Sequence, residues 1–465
     1  MEEGDSMKPR SILRLALLVA LSLPLAAQQK PDAVITLTDE LQDPRIAIAE
    51  IRGPAEAADP VDRFNDELWN ALEASGRLTL VTRSFYPRSS PRDPNDIQYD
   101  EKTLPSELKA RGLWAQGWRD APVQSRYLVY GRLNEGDGRL MLNGFLNDVT
   151  QESKEGSNIF GKLYFADATS AGARGMAFEF SRDILVNLGL GEGLAGSRIY
   201  YVHRDAARGT KEIWAMDYDG RNKERITDYR SISVTPAVSP DASLVAFTTF
   251  AEGVPRIYVH SLETGRRLQF YNQDASLNTT PGFSPDGKSI FFASSPSGRS
   301  QIYRADLDGG NLRRVSYSRS LDVHPVINPR TGRQIAFVSD TSGEPQVYLM
   351  DVDGTNRRRL SGGGGDAVQP SWDPTGERLA FTWTRGYEIG NYNIFLVDVV
   401  SGRYTQLTHS RGRNEHPSFS PSGTHITFSS DRLGGSQIWT MRADGTQVRQ
   451  LTSRGINESP VWAVR

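Results

Sequence analysis

Six prolines stand at nearly constant spacing through the second half of this chain. They are Pro236, Pro281, Pro325, Pro370, Pro417 and Pro460, at intervals of 45, 44, 45, 47 and 43 residues. Each of the first five opens the same pattern. Its best-kept copy reads Pro281-Gly-Phe-Ser-Pro-Asp-Gly287, then Ile290-Phe-Phe-Ala-Ser294, then Gln301-Ile-Tyr-Arg-Ala-Asp-Leu-Asp-Gly309. A period of about 40–50 residues that holds short strands and no helix predicts the blades of a β-propeller. Such a toroid offers loops and a central channel, so the architecture points toward binding.

The two ends of the repeat complement each other. Ile199-Tyr-Tyr-Val202, Glu212-Ile-Trp-Ala-Met216 and Glu224-Arg-Ile226 match the second, third and fourth strands of a blade that has no opening strand. Pro460-Val-Trp-Ala-Val464 matches an opening strand alone. Five complete copies and one split copy make six blades over 198–465. Pairing the C-terminal strand into the blade begun at Ile199 removes the two free edges of an open ring.

Local chemistry agrees with this division. Ser-Pro-Asp-Gly joins the first and second strands, with Pro pre-setting one turn position and Gly supplying a positive φ. The Asp-x-Asp-Gly runs at Asp217, Asp306 and Asp351 mark the third turn. They lack the twelve-residue loop and final bidentate Glu of a calcium site, and read as hairpin turns. Gly362 to Gly365 lacks the Lys-Ser/Thr of a phosphate loop and reads as a turn between blades.

The pattern ahead of the repeats is different. Ile46-Ala-Ile-Ala-Glu-Ile51 is a buried-strand candidate. Asp59-Pro60 reads as a helix start with Pro at the first position, and Phe64, Leu68 and Leu72 form one apolar face. Gly76 closes the helix, and Leu78-Thr-Leu-Val81 is the next strand. Pro87 to Asp100 reads as a loop. Two strands, around Tyr127–Leu133 and Arg139–Leu146, flank the turn Glu135-Gly-Asp-Gly138, a strong hairpin signal. Lys162–Phe165 is a further strand, and a helix follows from about Ala171 to Leu188. The chain is therefore mainly β: a six-bladed propeller preceded by a small α/β domain at 45–190, with a glycine-rich linker at 191–197.

At the N-terminus Lys8, Arg10 and Arg14 precede the apolar run Leu15–Leu25, and Ala26-Ala27 follow. This reads as a secretory signal over 1–27, too short in its apolar part to span a bilayer. A polar segment at 28–44 carries one alternating run, Val34-Ile-Thr-Leu-Thr38. No second apolar stretch of spanning length follows, so an exported protein with no direct membrane span is expected.

Some chemistries are disfavoured. Lys and Arg number 54 against 56 Asp and Glu, a net charge of -2, whereas a nucleic-acid binder usually carries a basic excess. The chain has no cysteine, hence no disulfide and no thiolate site. There is no Gly-x-Ser-x-Gly elbow and no His-Glu-x-x-His. His203, His260, His324, His409, His416 and His425 are scattered over blades and loops. No cofactor, metal or catalytic residue is expected.

One constellation has two readings. Three residues before the blade-opening proline stand Ser233, Asn278, Asp322, Asn414 and Asn457, with Ala367 as a departure. Asn and Asp at such places cap loop backbone locally. As a set, six such loops would form a polar rim around one mouth of the ring, with Asn278 and His324 exposed there.

The repeats, the strand Arg45–Ile51, the hairpin Tyr130–Gly138 and the entry Gly196-Ser-Arg-Ile-Tyr-Tyr-Val202 together resemble the TolB family of the Tol-Pal envelope system. The resemblance covers nearly all of the chain after the signal; the Pro-rich loop at Pro87 to Asp100 is longer than in the family. It implies a non-enzymatic periplasmic adaptor that supports outer-membrane integrity and constriction at division. The implied partners are the lipoprotein Pal at one propeller mouth, TolA at the N-terminal segment, and other Tol or envelope proteins. By position, the Pal face comprises Ser233, Leu277, Asn278, Thr279, Thr280, Asp322, Val323, His324, Asn414, His416 and Asn457. The TolA segment comprises Val34, Ile35 and Leu37. The alternatives from other classes are a secreted propeller enzyme acting on carbohydrate or peptide, which would need acidic pairs converging in the channel or an attached hydrolase domain, and an exported scaffold.

Overall fold

A computed structural model describes residues 43–99, 106, 113–385, 390–409 and 412–464. The segment expected at 1–27 and residues 28–42 of the segment expected at 28–44, with Val34, Ile35 and Leu37, lie outside the described residues. Residues 43–465 form one compact unit.

The N-terminal part is a five-stranded sheet in the order β2-β1-β3-β4-β5. The strands are β1 (Arg45–Ile48), β2 (Thr79–Leu80), β3 (Tyr127–Gly136), β4 (Arg139–Asp148) and β5 (Asn158–Asp167). β1 pairs in parallel with both β2 and β3, as the β-α-β reading requires. β3 and β4 form the expected hairpin, with Asp137 (φ 52°) and Gly138 (φ 72°) at its tip. Both residues are left-handed, the geometry that matches the twist of paired strands.

Helix α1 (Ala58–Ala74) begins ahead of the expected start. Pro60 therefore occupies the third helical position. It is tolerated there because none of the first N–H groups of a helix has an internal partner. Gly76, at φ 62°, ends the helix as anticipated. Helix α2 (Ser170–Asn187) is capped by the Thr169 hydroxyl, which accepts from the Gly172 N–H at 3.0 Å.

β1 is buried on both faces. Ile46 and Ile48 meet Phe64, Leu68, Leu72, Phe180 and Ile184 of the two helices. Ala47 and Ala49 meet Trp118, Ile97 and Val123 of the segment between β2 and β3. Two covered faces explain the unbroken apolar run of this strand.

The rest is a ring of six four-stranded sheets. The inner strands of the first five blades are Ser233–Val238, Asn278–Phe283, Asp322–Ile327, Ala367–Trp372 and Asn414–Phe419. The sixth inner strand, Ile456–Ala463, comes from the C-terminus and pairs antiparallel with Arg198–Arg204. The split blade is thus a single sheet, and the ring closes by backbone hydrogen bonds.

Trp462 is the hinge pin of that closure. Its N–H donates to the Ser418 hydroxyl of the fifth blade at 3.0 Å, and its indole N–H donates to Ser197 at 2.8 Å. Its ring packs with Ile199, Tyr201, Ile438 and Leu451 of the propeller and with Ala71 and Phe178 of α1 and α2. Beside this apolar contact lies an ionic one. Glu67 of α1, fully buried, meets Arg63 at 2.9 Å, Arg221 at 3.0 Å and Arg174 at 3.4 Å. Arg174 also pairs with Asp217 and Asp219, the carboxylates of the sixth blade's Asp-x-Asp-Gly turn. That turn makes its own hairpin bond, Gly220 N–H to the Asp217 carbonyl at 2.9 Å, while its side chains hold the α/β layer.

Trp462→Ala is expected to destabilise the chain by about 3–5 kcal/mol, the usual loss for a large buried aromatic. Truncation after Ser459 is expected to cost more, because it also opens the sixth sheet. Thermal melting followed by circular dichroism measures both, and an unchanged midpoint for the truncated chain would contradict closure by the C-terminal strand.

Candidate functional site: the propeller channel and its entry mouth

Every inner strand breaks register at the same place. The shift falls around Thr235-Pro236, Thr280-Pro281, His324-Pro325, Gln369-Pro370, His416-Pro417 and Ser459-Pro460. The residue before each proline is left-handed, with φ between 50° and 56°. Such a conformation costs a non-glycine residue about 1–2 kcal/mol. A bulge leaves one residue outside the ladder. Proline suits that place because it has no N–H to leave unsatisfied. The near-constant proline spacing is therefore the spacing of six β-bulges.

The bulges turn the six pre-proline residues into the channel. A cavity of about 310 Å³ is lined by this ring of Thr235, Thr280, His324, Gln369, His416 and Ser459, by the prolines, and by Phe283, Ile327 and Trp372 further along. Strained backbone repeated around one opening is a pointer to function.

The pre-proline side chains form a network. Thr280 Oγ1 accepts from the His324 N–H at 3.2 Å. Gln369 Oε1 accepts from the His416 N–H at 3.0 Å and from the Thr382 hydroxyl at 2.7 Å. The Gln369 amide nitrogen is then the donor in its 2.9 Å contact with His416 Nε2. This assigns the hydrogen of the neutral imidazole to Nδ1, an atom that is buried with no hydrogen-bond partner among the described residues.

Both channel imidazoles are held neutral. Burial pushes His324 down to about 4. Burial pushes His416 down to about 3, aided by His324 and Lys211 nearby. Each residue is half-buried, but protein encloses the rings, and desolvation of the charged form sets the direction. Lys211 is itself bound to Glu458 at 2.8 Å. Glu415, two residues before Pro417, is raised first by burial and then by Asp431 and Glu458, against Arg413. Neither channel histidine is hydrogen-bonded to a carboxylate among the described residues. The arrangement is equipped for binding through hydrogen bonds and apolar contact.

The expected polar rim is corrected at five positions. Ser233, Asn278, Asp322, Asn414 and Asn457 are all essentially fully buried. Their backbone and side chains staple neighbouring segments together. Asn278 N–H donates to the Pro255 carbonyl of the preceding blade, and Asn457 N–H to that of Ser436. Asn278 Oδ1 accepts from the Ser294 hydroxyl at 2.7 Å, and Asn414 Oδ1 from that of Ser430 at 2.9 Å. Asp322 pairs with Arg357 at 3.1 Å. The local-capping reading describes these residues, and the expectation that Asn278 and His324 are exposed fails: Asn278 is buried and His324 is half-buried in the channel wall.

Side chains alternate along a strand, so the rim lies one residue earlier. At that position stand Ile232, Leu277, Leu321, Asp366, Arg413 and Ile456, all exposed or half-buried. Ile232 and Leu321 are 41% and 46% exposed. Thr279 and Val323, two residers before the proline, are half-buried beside them, while Thr280, His324 and His416 line the channel. The mouth is thus more apolar than expected, and four aliphatic residues at one register position were the signal available in the sequence.

Comparison with known proteins adds a family. The family model described as the TolB beta propeller domain matches residues 188–389 and 364–465, which together span well over half of the 465 residues. The chain belongs to the TolB β-propeller family. A protein TolB homolog of Chlorobium chlorochromatii is 34% identical over 144 residues, 31% of each chain. A Tol-Pal system protein TolB of Desulfosudis oleivorans is 30% identical over 267 residues, 57% of this chain and 55% of that one. The chain thus spans about a third to a half of the length of these curated relatives. The crystal structure of TolB from Acinetobacter baumannii superimposes with a TM-score of 0.72 over 91% of this chain and 97% of that one, at 24% identity. This last likeness is one of fold. Among the described residues, no helix is long and apolar enough to cross a membrane.

The depressed histidines give a pH dependence with a definite sign. In the unfolded chain a histidine titrates near 6.5; folded, His324 and His416 titrate near 4 and 3. The unfolded state therefore takes up protons first as pH falls. The contribution of these two histidines is full above about pH 6.5 and drains away between about 6.5 and 3. The double variant His324→Gln/His416→Gln is expected to melt with a shallower loss over that range. His425 and His260, also depressed by burial, keep part of the slope. Melting temperatures of the two proteins across that range test the assignment.

Proposed function

We propose that this chain serves as a non-enzymatic periplasmic adaptor of a Tol-Pal system. In this reading the mouth described above receives the lipoprotein Pal, and the segment 28–39 engages TolA, so that the protein supports outer-membrane integrity and constriction at division. The observation that carries the reading is the mouth itself. Aliphatic residues at the rim, a ring of strained pre-proline residues below it and neutral imidazoles in the channel fit an apolar and hydrogen-bonding insertion from a partner protein. Membership of the TolB family supports it, as do relatives named Tol-Pal system proteins.

The TolA part rests on other grounds. Val34, Ile35 and Leu37 belong to a short alternating run, which suits addition to an exposed sheet edge of another protein.

Leu321→Glu and Thr279→Glu are expected to weaken Pal capture about tenfold or more, because a charge is then desolvated in an apolar contact. Leu163→Glu, on the α/β sheet, is expected to leave capture unchanged. Removing 28–39 is expected to abolish TolA capture and leave thermal stability intact. Pull-downs with purified Pal and TolA read both halves separately. Retained Pal capture by several mouth variants would move that interface elsewhere, and retained TolA capture by the truncated chain would overturn the second assignment.

A further inference from the structure

The side of the propeller facing α1 carries a second feature, unrelated to the entry mouth. A groove of about 510 Å³ runs between the segment just after α1 and the fourth and fifth blades. Arg77 enters it from the end of α1, Arg442 from the third turn of the fifth blade, and Arg378 from the fourth blade. Leu396 and Leu407 form its apolar floor, and Thr405 stands on the outer strand Tyr404–Gln406.

The charge in this groove is unbalanced. Arg378 is neutralised by Asp373 at 3.0 Å. Arg77 and Arg442 form no ion pair among the described residues, nor does Arg449 in the adjoining cleft. Asp444 is the one carboxylate lining the groove among the described residues, and its side chain is occupied by the Thr446 N–H and hydroxyl. His425 feels the excess directly. Burial first, then Arg442, Arg449 and Arg77, push it down to about 4, against Asp444. The α1 C-terminus lies beside Arg442, which would stand 3.3 Å from a side chain at Gly76. The helix dipole accounts for attraction toward one guanidinium, but among the described residues the fork-shaped donors of Arg77 and Arg442 have no side-chain acceptor. On a chain of net charge -2, this is a local excess of cation.

The groove also borders a strand edge. Tyr404–Gln406 is the outermost strand of the fourth blade's sheet, and Thr405 on it is exposed. Outermost strands accept an extended segment as a further strand. Guanidinium groups bind carboxylates through paired hydrogen bonds. The apolar floor suits alternate side chains of the same segment.

We propose that this groove binds an extended acidic peptide segment of a partner protein, its carboxylates on Arg77 and Arg442 and its apolar residues over Leu396 and Leu407. The occupant is a polypeptide because a strand edge runs along the site, which a lipid headgroup or a free phosphate does not use.

The test uses the full chain and a fluorescein-labelled peptide of alternating Glu and Leu, with its Gln counterpart, sodium tripolyphosphate and phosphatidylglycerol vesicles as controls. The Glu peptide is expected to bind saturably and to weaken as salt rises. Arg77→Gln/Arg442→Gln is expected to weaken it at least about tenfold. Hydrogen exchange is expected to slow at Tyr404–Gln406 when the peptide is added. Thermal melting checks the variant; if the pair melts early, Arg77→Gln alone, at an exposed site, replaces it. Equal binding by the variant, equal binding of the Gln peptide, or no binding at all overturns the proposal. So does arginine-dependent capture of tripolyphosphate or vesicles without capture of the peptide.

Discussion

The pairing of the last strand with the first is the interaction on which the molecule depends. Without Ile456–Ala463 beside Arg198–Arg204, the sixth sheet has no inner strand and the channel has a gap in its wall. Each other blade is continuous in sequence and closes on itself. Ring closure alone spans the whole repeat region, and it places Trp462 against both the fifth blade and the two helices. The same residue thus carries ring integrity and attachment of the α/β layer.

That attachment combines two unlike contacts. The apolar one, from Ala71 and Phe178 to Trp462 and its neighbours, is non-directional and gains from burial. The ionic one is directional. Glu67 is fully buried among three arginines, and such a group is costly unless every partner is in place. The carboxylates of Asp217 and Asp219 complete the set from the propeller side. Together they fix the angle of the helices on the sixth blade, so the interface is built for one geometry.

The channel follows from a backbone rule applied six times. Each inner strand must leave its ladder at the channel wall, and proline allows it to do so without an orphaned N–H. The left-handed residue before the proline then turns its side chain into the lumen. The polar chemistry of the lumen comes largely from this one position per blade, where threonine, serine, glutamine and histidine stand, with Phe283, Ile327 and Trp372 adding apolar wall further along.

The repeat period, the split blade and the β-α-β start were legible in the sequence, because spacing, turn chemistry and apolar periodicity are local properties. The hairpin tip at Asp137-Gly138 was legible for the same reason. The site was legible only in part. Thr280, His324 and His416 were placed at the mouth and do line the channel, but Asn278, Asp322 and Asn414 were read as a rim and are buried staples. Alternation along a strand makes a one-residue shift exchange the two faces, and only the position of the bulge fixes which face looks outward. The neutral state of His416, the partnering of Glu67 and the meeting of Arg77 with Arg442 were invisible for a further reason. Each depends on side chains far apart in sequence, and the electrostatic environment of a group is created by what the fold brings beside it.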